Sequence, residues 1–151
     1  MKVNGKVIVV TGAGSGMGRA LSLQLIKDGA RVAGIDINEK GLEETRELAG
    51  NGAVAMSTHV VDITDRNRVE ALPAELIALH GAVDGIINNA GIIQPFVPIK
   101  DLDYDRIERV FNINLYGTLY MVKSFLPALL ERPEAHIVNI SSMGGFIPFP
   151  G

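Results

Sequence analysis

Short apolar runs rich in β-branched residues alternate along this chain with segments whose apolar positions recur every three or four residues. Val7–Val10 is the first run and ends in glycines. An unbroken apolar run of this kind predicts a strand covered on both faces. Leu21, Leu25 and Ile26 then mark a helix from Met17 to Lys27, and Gly29 suits its C-terminal cap. Arg31–Asp36 predicts a second strand, Glu39–Ala49 a polar helix closed by Gly50, and Ala53–Val61 a third strand. Thr64 or Asp65 can cap a helix running toward His80, with a kink or break expected at Pro73. Val83–Asn88 predicts a fourth strand, Asp103 to Glu131 a long helix, and His136–Ser141 a fifth strand.

Strand and helix repeated at this rhythm predict right-handed βαβ units in a parallel sheet. The expected fold class is α/β, a single Rossmann-like domain over residues 1–151. Its doubly wound sheet lies between two helical layers, with strand order 3-2-1-4-5. The long helix has two apolar sides. One stripe holds Ile107, Val110, Phe111, Thr118, Met121, Val122 and Phe125; another holds Leu115, Tyr116, Leu119 and Leu126. A helix apolar on two sides needs two surfaces. The sheet supplies one, and a homo-oligomer through residues 103–131 is the expected second.

Composition narrows the classes. With 47% hydrophobic and 21% charged residues over 151 positions, the chain can bury the core of one domain. A net charge of −3 gives no nucleic-acid footprint. Cysteine is absent, which excludes disulfides and thiolate metal sites. His59, His80 and His136 are scattered in sequence and read as structural or exposed, so no metal is expected. No apolar stretch approaches a membrane span and the start lacks a signal-peptide pattern. A soluble, cytoplasmic protein is the expectation.

The first strand runs into Thr11-Gly12-Ala13-Gly14-Ser15-Gly16-Met17-Gly18. A glycine-rich turn between strand and helix lets backbone approach a phosphate, and the N–H groups of the following helix stabilise the anion. Glycines there also simply make tight turns. The common G-x-G-x-x-G spacing is not met, because Met17 occupies its third glycine place. A P-loop is excluded by Arg19-Ala20 after Gly18. G-x-G-x-G at 12–16 leaves open a methyltransferase loop for S-adenosylmethionine. Asp36 ends the second strand, where a carboxylate accepts from both hydroxyls of an adenosine ribose and repels a 2′-phosphate. The cofactor expectation is therefore NAD in preference to NADP, although a methyltransferase would also place an acid here.

Thr11, Gly12, Gly16 and Gly18 fit T-G-x-x-x-G-x-G, and Asn88-Asn89-Ala90-Gly91 follows the fourth strand. Asn114-Leu115-Tyr116-Gly117 fits N-x-x-G, and Ile137-Val138-Asn139-Ile140-Ser141-Ser142 closes the fifth strand. In these motifs the chain resembles the short-chain dehydrogenase/reductase family, and Asn88–Gly91 demotes the methyltransferase. The resemblance implies that Thr11, Gly12, Ser15, Gly16, Met17, Gly18 and Asp36 bind the cofactor. It implies that Asp62 and Ile63 flank the adenine, that Asn89, Ala90 and Gly91 line the cofactor near its ribose, and that Asn88 mainly braces the sheet. It also implies two catalytic positions, Asn114 holding a proton-relay water and Ser142 hydrogen-bonding the substrate carbonyl or hydroxyl.

The family's reaction interconverts an alcohol and a ketone by hydride transfer, with a tyrosine as acid/base and a lysine four residues later. By resemblance these lie beyond Gly151, and Tyr104, Tyr116 and Tyr120 lack the Tyr-x-x-x-Lys spacing. The expectation is a truncated chain that binds NAD weakly and transfers no hydride alone, with later strands missing and the fifth strand an open edge. A non-catalytic nucleotide-binding remnant is the alternative. The mostly apolar segment Ile92–Lys100 hints at a hydrophobic substrate.

Overall fold

The computed structural model describes residues 1–143. Five parallel strands form one sheet: β1 (Val7–Thr11), β2 (Arg31–Asp36), β3 (Met56–Val60), β4 (Gly85–Asn88) and β5 (His136–Asn139). Their order is β3-β2-β1-β4-β5, the doubly wound arrangement expected from the rhythm of the chain. The helices are α1 (Gly16–Lys27), α2 (Glu39–Leu48), α3 (Arg66–His80), α4 (Tyr104–Val110) and α5 (Thr118–Leu130).

Every residue of β1 is buried, and its side chains divide between two cores by the two-residue period of a strand. Val7 and Val9 join Leu72 and Leu76 of α3 and Met121, Phe125 and Leu129 of α5 on one face. Ile8 and Val10 join Leu42 of α2 on the other, with Leu25 and Ile26 of α1 packed against them. The result is a three-layer Rossmann-like fold.

Three local expectations change. The third strand starts at Met56, because Gly50–Ala55 winds into a 3-10 turn. Gly50 enters it at φ 54°, and Val54 is 95% exposed, so apolar character there does not mean burial. The helix α3 continues through Pro73 without a break. The buried side chains of Leu72 and Leu76 hold both halves of it against the core, offsetting the lost amide donor. Asp65, not Thr64, caps this helix by accepting from Arg68 N–H at 3.1 Å.

The third change matters for the site. The long helix is not uniform: a π-helical segment, Phe111–Gly117, separates α4 from α5. One extra residue in a turn rotates the faces on either side by about 100° relative to each other. Phe111 therefore leaves the buried stripe in which simple periodicity places it and is 53% exposed. Met121 and Phe125 do face the core, whereas Leu115, Tyr116, Leu119 and Leu126 stand exposed on the other side.

Candidate cofactor site

The carboxyl ends of the strands open into a cavity of about 620 Å³. It lies where the strand order reverses at β1, the position at which open α/β sheets bind ligands. Gly12 and Ser15–Met17 form one wall, Asp36 and Ile37 a second, and Asp62–Thr64 with Asn89–Ile92 the floor. Asp105, Glu108, Arg109, Asn112 and Ile113 close the far side.

The glycine turn is built by close approaches. Gly12 has φ 70°, and a Cβ there would stand 2.8 Å from Asn89 Nδ2. A Cβ on Gly18 would fall 2.0 Å from the Gly12 carbonyl oxygen, so α1 can start here only on glycine. Gly16 has φ 50° and open space around it. Ser15 occupies the N-cap of α1 in extended conformation, and its side chain makes no capping bond. The first-turn amides of α1 thus lack the usual side-chain acceptor, the condition under which a helix start takes an external anion.

Thr11 is buried and lies behind the cavity. Its Oγ1 accepts from the backbone N–H groups of Asn89 and Ala90, both at 3.0 Å, while Asn89 Nδ2 donates to the Thr11 carbonyl at 3.0 Å. These bonds lock the end of β1 to the end of β4. Asn88 Nδ2 donates to Asn139 Oδ1 at 2.8 Å and braces β4 against β5. The Oδ1 atoms of Asn88 and Asn89 are buried without a hydrogen-bond partner among the described residues, which leaves acceptor capacity beside the cavity.

The Asp36 carboxylate is fixed by two backbone donors, Gly14 N–H at 2.9 Å to Oδ2 and Asn38 N–H at 3.0 Å to Oδ1. Each oxygen retains a lone pair for a ligand hydroxyl. Asp62 Oδ1 accepts from the backbone N–H and the hydroxyl of Thr64, each at 2.8 Å. Ile63 beside it is buried and would meet any Cβ placed on Gly117 at 2.7 Å.

Asn114 sits in the π segment, and its amide clasps one residue of the loop after β4. Its Oδ1 accepts from Ile92 N–H at 2.9 Å and its Nδ2 donates to the Ile92 carbonyl at 2.8 Å. It is not part of the cavity wall, whereas Asn112, two positions earlier, is. Ser142 is exposed, three positions past the end of β5, and lies outside the wall.

Sequence reasoning missed two sets of residues. Gly14 has no place in the motif, yet a Cβ on it would approach Asp36 Oδ2 to 2.9 Å. Asp105, Glu108 and Arg109 form, with Asn112, the i, i+3, i+4, i+7 pattern of one helix face, a polar stripe between the apolar ones. Two of the histidines make a contact that their spacing in sequence does not announce. His59 Nε2 and His80 Nε2 both lie 2.8 Å from Ser57 Oγ, so two of the three meet in space.

Fold and site together define a nucleotide-binding α/β protein of the oxidoreductase class. The family model described as short chain dehydrogenase matches residues 6–151, and the chain belongs to that family. It is 38% identical over 147 residues to SadH of Mycobacterium tuberculosis, an alignment covering 97% of this chain and 53% of SadH. The crystal structure of NAD+-bound xylitol dehydrogenase superposes with TM-score 0.93 at 32% identity, covering 99% of this chain and 58% of that one. A metagenomic short-chain oxidoreductase in complex with NADP superposes with TM-score 0.88 at 28% identity, covering 99% and 67%. The chain spans about half the length of SadH. No helix among the described residues is long and apolar enough to cross a membrane.

Proposed function

We propose that the chain carries the cofactor half of an NAD-dependent oxidoreductase that interconverts an alcohol and a ketone. The observation that carries this reading is Asp36. Its carboxylate lines the cavity beside the uncapped start of α1, clamped by two backbone amides in a pose that accepts ribose hydroxyls. Asp62, Asp105 and Glu108 add negative charge around the same cavity, against Arg109 as the cation among its described wall residues. A 2′-phosphate would enter a field of its own sign.

The residues present fit a dinucleotide. Gly12, Ser15, Gly16, Met17 and Gly18 offer the phosphates a cradle whose tight turn depends on Gly12 and Gly18, where a Cβ would collide with Asn89 and with the Gly12 carbonyl. Asp62 Oδ2, which takes no hydrogen bond among the described residues, is available to an adenine amino group, and Ile63 supplies an apolar contact. Thr11 holds Asn89 and Ala90 in place, and Asn89, Ala90 and Gly91 flank the ribose. A bound nicotinamide supplies hydride exchange with the substrate carbon. Ser142 is assigned to the substrate oxygen. Asn114 is assigned to a proton-relay water: its amide holds Ile92 with one acceptor site and one N–H, and retains a second of each.

Residues 1–151 contain no Tyr-x-x-x-Lys pair, and none of their tyrosines is assigned to proton transfer. Exposed Ile93, Phe96 and Ile99 after β4 favour an apolar substrate. The exposed face of Leu115, Leu119 and Leu126 favours a second copy of the chain as partner.

Calorimetric titration of the chain with NAD and with NADP tests the cofactor assignment. NAD should bind at least about tenfold more tightly, a difference of about 1.4 kcal/mol. The Asp36→Ala variant should lose most of that preference. Equal affinity for the two cofactors in the unmodified chain would overturn the assignment.

A further inference from the structure

We infer that Arg19 and Thr45 form a latch that aims the glycine turn at the cofactor phosphates, a step that rests on the cofactor reading above. Arg19 lies in the first turn of α1. Its Nε donates to Thr45 Oγ1 at 3.0 Å, and its Nη2 donates to the Gly14 carbonyl at 2.5 Å and pairs with Glu44 Oε2 at 2.9 Å. A weaker bond from Nη2 reaches the Gly41 carbonyl at 3.3 Å. Thr45 on α2 is fully buried, and its Oγ1 stands 2.9 Å from both the Ala13 and the Gly41 carbonyl oxygens. Two successive carbonyls of the turn, Ala13 and Gly14, are thus tied to α2 by side chains.

Gly14 is held from both directions. Its N–H goes to Asp36 and its carbonyl to Arg19. The carbonyl of Gly14 and the N–H of Ser15 share one planar peptide unit, so fixing the first sets the direction of the second. A Cβ on Gly41 would stand 2.7 Å from the Gly14 oxygen, and glycine there is what lets α2 close on the turn. A cation in the first turn of a helix has the wrong sign for its dipole. Helix stability therefore does not account for Arg19, whereas the turn contacts do. The arrangement couples the acid that reads the ribose to the amides that meet the phosphates through one residue, Gly14, whose two flanking peptide units are both tied.

The test compares Arg19→Met, Thr45→Val and Thr45→Ser in the full chain, with urea unfolding to verify that each is folded. NAD and adenosine, which lacks phosphates, are titrated by calorimetry. Arg19→Met and Thr45→Val should weaken NAD about tenfold while changing adenosine by less than about twofold; Thr45→Ser, which keeps the hydroxyl, should stay within about twofold for both. Hydrogen exchange without ligand should speed up at residues 13–17 in the first two variants and not in β1. Equal losses for NAD and adenosine, or unchanged exchange in the turn, would overturn the latch. If the unmodified chain binds NAD and both variants bind it equally well, the latch alone fails. If the unmodified chain binds no NAD, the cofactor reading fails, and the latch loses its purpose with it.

Discussion

Arg132 Nε donates to Asp84 Oδ1 at 2.9 Å, and this pair closes the end of the sheet opposite the cofactor cavity. Asp84 is only 3% exposed. Its Oδ2 accepts from Val7 N–H at 2.9 Å, and Lys6 Nζ stands 3.6 Å from Oδ1. One carboxylate thereby joins the starts of β1 and β4 to the loop between α5 and β5.

Removing that carboxylate should be costly. Asp84→Ala leaves the buried Val7 amide without its acceptor, whereas Arg132, a third exposed, can turn to water, and the expected loss is about 1–3 kcal/mol. Urea unfolding at neutral pH measures it. Burial alone would raise the Asp84 pKa, but the Val7 amide, Arg132 and Lys6 outweigh it and hold the group below its ordinary value. Its contribution is therefore complete above the unfolded carboxylate pKa of about 3.9 and fades as pH falls through the lower folded value. Asp84→Asn should flatten the acid limb of the stability curve; an unchanged limb would remove Asp84 as its source.

The imidazoles of His59 and His80 share Ser57 Oγ on the face of the sheet covered by α3. Burial lowers the pKa of both, reinforced at His59 by His80 and Arg68 against an opposing effect of Glu75, and at His80 by Arg31. Both are therefore neutral more readily when folded than when unfolded. Stability from this pair is present above about pH 6.5 and declines as pH drops through the lower folded values. Urea midpoints should fall between pH 7.5 and 5.5, and the His59→Gln/His80→Gln double variant should show a shallower fall. An identical slope in the double variant would place the titration elsewhere.

Gly16 and Gly18 flank the same turn but should respond very differently to an added methyl group. Gly18→Ala places a Cβ 2.0 Å from the Gly12 oxygen and should cost about 3 kcal/mol or more, with loss of NAD binding. Gly16→Ala meets open space and carries only the strain of φ 50°, about 1–2 kcal/mol. Thermal unfolding of the two variants checks the order.

The exposed face of the long helix supplies a test of assembly. Leu119 is 52% exposed next to Leu115 and Tyr116. A charge there desolvates poorly in an apolar interface, so Leu119→Glu should shift the chain from oligomer to monomer in sedimentation equilibrium without a large change in urea midpoint. A wild-type chain that sediments as a monomer would remove the interface.

The order of strands and helices was legible in the sequence because strand period, helix period and glycine punctuation are local properties. Val7–Val10, Leu21 and Gly29 declare their elements within a few residues of themselves. The glycine turn and the place of Asp36 beside it were legible for the same reason: each sits at a strand end, and the parallel sheet then brings those ends to one edge. What only the tertiary structure decided depends on contacts between distant segments. Gly14 is required because Asp36 returns to it across β1 and β2. Asn114 finds Ile92 rather than the cavity because a π turn rotates its face. His59 and His80 meet because α3 lays its last turn beside β3, and no spacing along the chain encodes that meeting.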